Sequence, residues 1–247
     1  IIKDINKDKL YDFLREMEFN RLLSQVISFY GEPANKDLKE KNQIKKNKIN
    51  TKSYKTISNE LQLNELIKKL NEKSIIAVDT ETSSLNPLEA DLVGVSVCYK
   101  PNEAFYIPVN HKEKTELKKD LILKSLKPIL EDTSIKKIGQ NIKYDFIVFK
   151  NHGIDLSPVD DTMLLSYTLD AGNNRHNMDS LSELHLGHKT ISYKEIVGTG
   201  KKQLNFSEVD LKSATAYAAE DADITLRLYE ILSERVSEEN LDKIYDV

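Results

Sequence analysis

A short apolar run that ends in acid narrows the fold more than any other feature. Ile75-Ile76-Ala77-Val78 runs straight into Asp79-Thr80-Glu81-Thr82. Four apolar residues are far too few to cross a bilayer, which takes about 20. A run this short, rich in β-branched side chains, reads as a buried strand over 74–79. Such strands sit in sheets covered by helices, and a turn-rich all-β chain is disfavoured because only 8 Gly and 6 Pro occur in 247 residues. Alternate side chains of a strand share a face, so Asp79 and Glu81 can converge on one site at the strand's end.

The rest of the chain supplies partners for that strand. Residues 92–99 alternate, with Val93, Val95 and Val97 on one face, and 104–109 and 135–140 read as further strands. Helical spacing marks Leu61, Leu63, Leu66, Ile67 and Leu70 behind an N-cap at Ser58. Further helices are predicted over 115–131 (kinked near Pro128), 142–151, 161–169, 178–186 and 213–236, with 187–206 as a loop. Three strands followed by helix, strand and helices predict one α/β domain over 58–236, its early strands antiparallel and its later one parallel. Upstream, 7–30 spaces its apolar residues as one or two short amphipathic helices closed by Gly31 and Pro33, too small to fold alone. Residues 34–56 are Lys- and Asn-rich without a period and read as a linker.

Charge is unevenly spread. Residues 33–57 hold eight lysines (36, 39, 41, 45, 46, 48, 52 and 55) against Asp37 and Glu40, so a net charge of −4 divides into +6 there and −10 elsewhere. The total argues weakly against a nucleic-acid binder; an acidic body with a basic strap is what needs explaining. Cys98 alone excludes a disulfide framework or a Cys-rich zinc site and fits a reducing compartment. Neither a signal peptide nor a membrane-length apolar run is visible, and a first residue of Ile1 rather than Met fits an excerpt from a longer protein.

Three acidic patterns carry chemistry. Besides Asp79 and Glu81, Asn141-Ile142-Lys143-Tyr144-Asp145 opens a helix, with Asn141 placed to cap it and Asp145 favoured by the helix dipole. Tyr217 and Asp221 stand at i and i+4 on one helix face, and Ala218, Ala219 and Ala222 let that helix approach a neighbour closely. Taken singly, each has an ordinary reading: solvated strand-end acids, a helix-start aspartate, a surface aspartate beside a half-buried tyrosine.

Taken together they form a strand-end D-x-E, a helix-start acid and a helical Y-x-x-x-D in chain order, which resembles the tyrosine branch of the DEDD exonuclease superfamily. Longer stretches sharpen the likeness: KKIGQNIKYD (136–145), DDTML (160–164), RHNMDSL (175–181), LGHKTISYKEIVGTGKKQL (186–204) and YAAEDADITLRLYE (217–230). They are similar to the 3′→5′ proofreading domain of the bacterial family-A polymerases, the DNA polymerase I family. The likeness covers nearly everything from residue 56 onward. KLYDFLREMEFNRLL resembles the tail of that family's 5′-nuclease domain and LDKIYDV the approach to its polymerase domain.

The resemblance implies a ribonuclease-H-like α/β fold with a five-stranded mixed sheet flanked by helices. It implies a 5′-nuclease tail at 1–32, a linker at 33–57, the exonuclease domain at 58–236 and a connection to a polymerase domain at 237–247. It further implies a monomeric, cytoplasmic, nucleoid-associated exodeoxyribonuclease that acts on single-stranded or frayed DNA 3′ ends beside the polymerase and 5′-nuclease domains of its parent chain. Four clustered carboxylates repel one another, which divalent cations relieve; oxygen-only ligation points to Mg²⁺ or Mn²⁺ rather than Zn²⁺. By resemblance Asp79 would bridge two ions, Glu81 and Asp221 complete the tighter site, and Asp145 hold the second ion through water. Tyr217, helped by Glu81, would orient the attacking water. Thr80, Leu85, Gln140, Asn141, Tyr144, Arg175, Met178 and Tyr193 match strand-contacting positions, although Leu85 also reads as loop packing, Arg175 as a surface cation and Met178 as core.

Other features take plainer readings. His176, His185 and His188 lack the acid or Cys partners of a metal site, and Gly198-Thr199-Gly200-Lys201-Lys202 lacks the spacing and preceding strand of a phosphate loop. Cys98 reads as a small core residue and the basic strap as a solvated tether. Two rival functions remain: an RNase-D-like exoribonuclease with the same five residues, and a catalytically silent DNA-binding or structural module. The second needs a missing ligand, and none is missing.

Overall fold

The computed structural model describes residues 5–17, 19–31 and 49–245. The chain divides into two compact units, Ile1–Asn47 and Lys48–Val247. In the first lie α1 (Lys7–Glu16) and α2 (Asn20–Tyr30), so the one or two amphipathic helices expected over 7–30 are two. Asn6 caps α1 by accepting from Lys9 N–H (3.1 Å), Gly31 ends α2 at φ 84°, and the buried Tyr11 donates its hydroxyl to the Gly31 carbonyl (2.7 Å). Residues 32–48, with Pro33 and six of the eight linker lysines, lie outside the described residues.

The second unit runs β1 (Lys55–Thr56), α3 (Glu60–Leu70), β2 (Ile75–Thr82), β3 (Leu92–Cys98), β4 (Ala104–Pro108), α4 (Lys119–Leu130), β5 (Lys136–Gly139), α5 (Lys143–Asn151), β6 (Val159–Asp161), α6 (Thr162–Asp170), α7 (Met178–Leu181), α8 (Tyr193–Val197), α9 (Leu211–Glu238) and α10 (Asp242–Tyr245). The sheet order is β1-β4-β3-β2-β5-β6. The early strands β2, β3 and β4 pair antiparallel and β5 joins β2 in parallel, as expected. The sheet has six strands where the resemblance implies five: β1 and β6, two and three residues long, add parallel edges, too short to show a period, to the four strands read from the sequence. The cap of α3 is Asn59, which accepts from Gln62 N–H (3.0 Å), while Ser58 bonds the Gln62 side chain instead. The predicted loop 187–206 contains α8, stabilised by a capping box between Ser192 and Glu195. The predicted helix 178–186 is α7 followed by a π-turn over Ser182–Leu186.

Both sheet faces are covered, which is why β3 and β4 are buried throughout. One face carries Leu63, Leu66, Leu70, Ile76, Val78, Val95, Val97, Ile122, Leu126, Val148 and Phe149 under α3, α4 and α5. The other meets α9, whose Ala219 and Ala222 lie against Ala77, Cys98, Ala104 and Ile138; methyl-sized side chains let helix and sheet approach closely. Cys98 is thus a core residue. Val93 departs from the expected face. The β2–β3 register slips between Glu81 and Thr82, pairing Glu81 with Gly94 but Thr82 with Leu92, so Val93 is the bulged residue. It joins Tyr106, Phe206, Val209 and Ala218 on the α9 side.

That bulge places Gly94 directly beneath Tyr106. A Cβ on Gly94 would lie 2.1 Å from the Tyr106 hydroxyl, which bonds His111 Nε2 at 2.6 Å. Gly94→Ala is expected to destabilise by about 2–3 kcal/mol or more through overpacking, a drop of several degrees in Tm. A melting curve within one degree of wild type would show that the Tyr106 ring can move aside.

Candidate active site

The candidate site lies at the end of the central strand β2. Side-chain alternation turns Asp79 and Glu81 toward α9, and Thr80 between them toward α5. Asp221 comes from the part of α9 that its alanines hold against the sheet. Carboxylate oxygens of Asp79, Glu81 and Asp221 lie within 4.8 Å of one another. Asp145, in the first turn of α5, reaches the cluster from the other face, where Thr80 donates both its N–H (2.9 Å) and its hydroxyl (2.5 Å) to Asp145 Oδ1. Tyr217 stands one turn before Asp221 and hydrogen-bonds it. The five residues expected to carry the chemistry thus come together from two strand positions and two helices.

The electrostatics are unfavourable to the bare cluster. Burial, then the charges of Asp145, Glu81 and Asp221, hold the Asp79 carboxyl well above the usual range. Burial with Asp221 and Asp145 does the same to Glu81, and burial with Glu220 to Asp221. Asp145 is pushed up to about 7 by burial, against the pull of its Thr80 hydrogen bonds. Burial and the Asp221 charge raise the Tyr217 phenol far above its ordinary value, so it stays protonated and can donate. Among the described residues no Lys or Arg forms an ion pair with any of the four carboxylates. An oxygen-only set with this repulsion, Asp79 half-buried and Glu81, Asp145 and Asp221 buried, fits hard divalent cations. Thr80→Val removes one of Asp145's two donors; kcat is expected to fall about 10–100-fold, the usual cost of losing an outer partner of a ligand. A single-turnover rate within twofold of wild type would show that the Thr80 N–H alone suffices.

The expected strand contacts divide. Leu85, 96% exposed, tips the loop after β2. That loop is fastened by Tyr144, whose hydroxyl bonds the Ser84 carbonyl and Thr82 Oγ1, by Asn151 Nδ2 on the Pro87 carbonyl (2.9 Å) and by Asn205 Nδ2 on the Ser83 carbonyl (3.3 Å). Tyr193, on α8, stacks on Phe206 (centroids 6.2 Å, 10°) and meets Tyr217 edge-on (6.0 Å). Gln140 and Asn141 form the turn before α5. Thr80 is buried and spends its hydroxyl on Asp145. Met178 packs half-buried against Leu165, Leu181 and Ile224, and Arg175 is exposed with no contact to the carboxylates among the described residues.

Asn141 is not the helix cap that its sequence position suggests. It takes φ 59°, α5 begins after Ile142, and the orphan N–H groups of Asn141 and Ile142 go to Asp161. Two further acids of α9 are buried fasteners. Glu220 accepts from His188 Nε2 (2.9 Å) and Ile191 N–H (2.6 Å), fixing the segment that leads to Tyr193. Asp223 accepts from Tyr54 hydroxyl (2.7 Å), Asn102 N–H (3.1 Å) and Arg227 Nε (2.9 Å). Residues 218–228 of α9 are all buried, so the helix is enclosed on every side and its acids must find partners. His176 shares a hydrogen bond with Ser166 (2.8 Å). Gly198 and Gly200 take φ 77° and 70° in a turn with no strand before it.

Comparison with known proteins gives the family and the fold. Residues 54–237 match the family described as 3′-5′ exonuclease. DNA polymerase I of Rhizobium leguminosarum is 40% identical over 214 residues, covering 78% of this chain and 21% of that protein. DNA polymerase I of Borreliella burgdorferi is 36% identical over 234 residues, covering 94% of this chain and 25% of that protein. The chain thus spans about a quarter of the length of these curated relatives. The crystal structure of Escherichia coli RNase D, an exoribonuclease involved in structured RNA processing, is similar with a TM-score of 0.57 at 20% identity, over 76% of this chain and 46% of that one. The fold is ribonuclease-H-like. Among the described residues no helix is long and apolar enough to cross a membrane.

Proposed function

Because the chain belongs to the 3′-5′ exonuclease family, we propose that this hydrolytic nuclease acts on DNA, taking a single or frayed strand by its 3′ end as the proofreading segment of a DNA polymerase I. The observation that carries the reading is the convergence of Asp79, Glu81 and Asp221 within 4.8 Å, with Asp145 and Tyr217 beside them. In this reading 58–236 is the nuclease domain, 1–32 and 237–247 belong to neighbouring 5′-nuclease and polymerase domains, and the chain is a monomer.

Asp79, Glu81, Asp145 and Asp221 would hold two Mg²⁺ or Mn²⁺ ions. Such ions, when bound, supply charge neutralisation of the cluster and Lewis-acid stabilisation of the developing phosphate charge. The protein's own part is placement. Tyr217, kept neutral, directs the attacking water by hydrogen bonding, and Glu81 accepts from it. The water oxygen bonds to the terminal phosphorus, the bond to the 3′ oxygen breaks, and that oxygen leaves as the hydroxyl of the shortened strand, releasing a nucleoside 5′-monophosphate. Leu85 and the Tyr193 ring would grip the last bases; stacking is worth about 1–3 kcal/mol per base.

A 5′-labelled single-stranded oligodeoxynucleotide with Mg²⁺ tests this: a ladder shortening from the 3′ end is expected, abolished by chelator. An intact strand under these conditions overturns it. The RNase D likeness favours one alternative, an exoribonuclease; a matched RNA cleaved faster than the DNA would decide for it. Calorimetric titration with Mg²⁺ that showed no binding would favour a silent module.

A further inference from the structure

Two consecutive residues that the proposed chemistry does not use are built around the turn next to the site. β6 ends beside β5 with Asp161 opposite Gly139, which brings the Asp161 and Thr162 side chains up to the turn at 139–142. Asp161, buried, accepts Asn141 N–H on Oδ1 (2.9 Å) and Ile142 N–H on Oδ2 (3.0 Å), while also capping α6 through Met163 N–H (2.9 Å). The Thr162 hydroxyl, fully buried, lies against the Gly139 carbonyl (3.1 Å) and Gln140 Oε1. Gln140 Nε2 in turn donates to the His176 carbonyl (2.7 Å). The turn needs this support: Asn141 takes φ 59°, which a non-glycine residue rarely adopts unaided, and a Cβ on Gly139 would lie 2.7 Å from Ile142 Cβ. The outcome is an outward Asn141 side chain and a fixed Gln140 immediately before α5.

We propose that Asp161 and Thr162 are positioning residues for strand binding, holding Gln140 and Asn141 where the 3′ end of the DNA passes; this rests on the nuclease reading above. The effect should fall on binding rather than on the chemical step, because Asp145 is independently held by the two Thr80 donors. Asp161→Asn keeps the volume but turns an amide N–H₂ toward the backbone N–H groups that the carboxylate accepts, so at least one of the three must lose its acceptor. Thr162→Val keeps the shape and releases only Gln140 and the Gly139 carbonyl.

The test uses the full chain and a 5′-fluorescein single-stranded oligodeoxynucleotide. Anisotropy in EDTA gives Kd, and steady-state rates with Mg²⁺ give kcat and KM. Kd and KM are expected to rise about tenfold in Asp161→Asn, the lower end for losing an outer partner, and about threefold in Thr162→Val, where a single side-chain hydroxyl is lost, with kcat falling no more than twofold. Unchanged Kd and KM in Thr162→Val, whatever its melting temperature, overturn the proposal, as does a fall in kcat at unchanged KM. Should Asp161→Asn fail to fold, Thr162→Val decides alone. A wild type that cuts the strand while the variants bind it equally well overturns this proposal and spares the nuclease reading; a wild type that neither binds nor cuts overturns both.

Discussion

Asp79→Asn is expected to reduce the exonuclease rate by about 10³-fold or more, the scale on which losing a central member of a catalytic unit is felt. The substitution preserves volume and removes one negative charge from the middle of the cluster, where Asp145, Glu81 and Asp221 all act on it. Glu81 and Asp221 would then face each other with one anionic ligand fewer, too weak a set to concentrate divalent charge at the scissile bond. The same change should stabilise the chelator-treated protein, because it relieves repulsion instead of breaking a pair. Opposite signs in rate and stability separate a functional carboxylate from a structural one. Single-turnover cleavage of 5′-labelled single-stranded DNA and thermal melting in EDTA read the two quantities. A variant that cuts within tenfold of wild type would place the chemistry elsewhere, and one that melts lower in EDTA would mean that Asp79 is satisfied without a cation.

Two pairs within the carboxylate site were legible from local periods, while their union with Asp145 in one site came only from the family resemblance. Asp79 and Glu81 follow strand alternation, and Tyr217 and Asp221 follow the helical i, i+4 spacing, so short-range geometry placed them before any tertiary contact was known. What the sequence concealed depends on distant partners. Asn141 has the composition of a cap, yet Asp161, twenty residues on, takes the N–H groups a cap would serve. Val93 continues a perfect alternation that one bulge reverses. Glu220 and Asp223 resemble surface acids in a charged stretch, and only the packing of α9 on all sides makes them internal acceptors. The body charge of −10 is accordingly a poor guide to the surface: part of it is the carboxylate cluster, and part ties loops to the core.

The same cluster predicts an unusual pH dependence. Asp145 titrates at about 7, and Asp79, Glu81 and Asp221 are also held above their ordinary values, all with burial as the largest cause. In the unfolded chain these groups titrate at about 4. Between those limits the folded protein binds more protons than the unfolded one, so stability is fully present below about pH 4 and is lost as pH rises through the folded values. Ionising a carboxyl that titrates at about 7 instead of about 4 costs on the order of 4 kcal/mol, shared across a cluster that titrates as a unit. His111 and His185, both lowered by burial, oppose this inside the window, because their cost to folding fades as pH rises past the unfolded histidine value of about 6.5; the other opposing groups act outside it. Asp210, held low by its hydrogen bonds to Ser213, loses its contribution only as pH falls below the carboxylate range. Lys137, lowered to about 8 by burial, adds stability only above that pH. Between pH 5 and pH 7.5 about 2.5 kcal/mol of that cost sets in, so in EDTA Tm should drop by about 5–10 °C at roughly 2–4 °C per kcal/mol for a chain of this size, less the smaller opposing histidine contribution. Millimolar Mg²⁺ should raise Tm far more at pH 7.5 than at pH 5, since protons and cations compete for the same oxygens. Asp79→Asn should flatten the EDTA profile. A wild-type Tm that is level or rising over this interval, or a Mg²⁺ increment equal at both ends, would mean that the four carboxylates are not frustrated in the bare protein and that the cation has no repulsion to relieve.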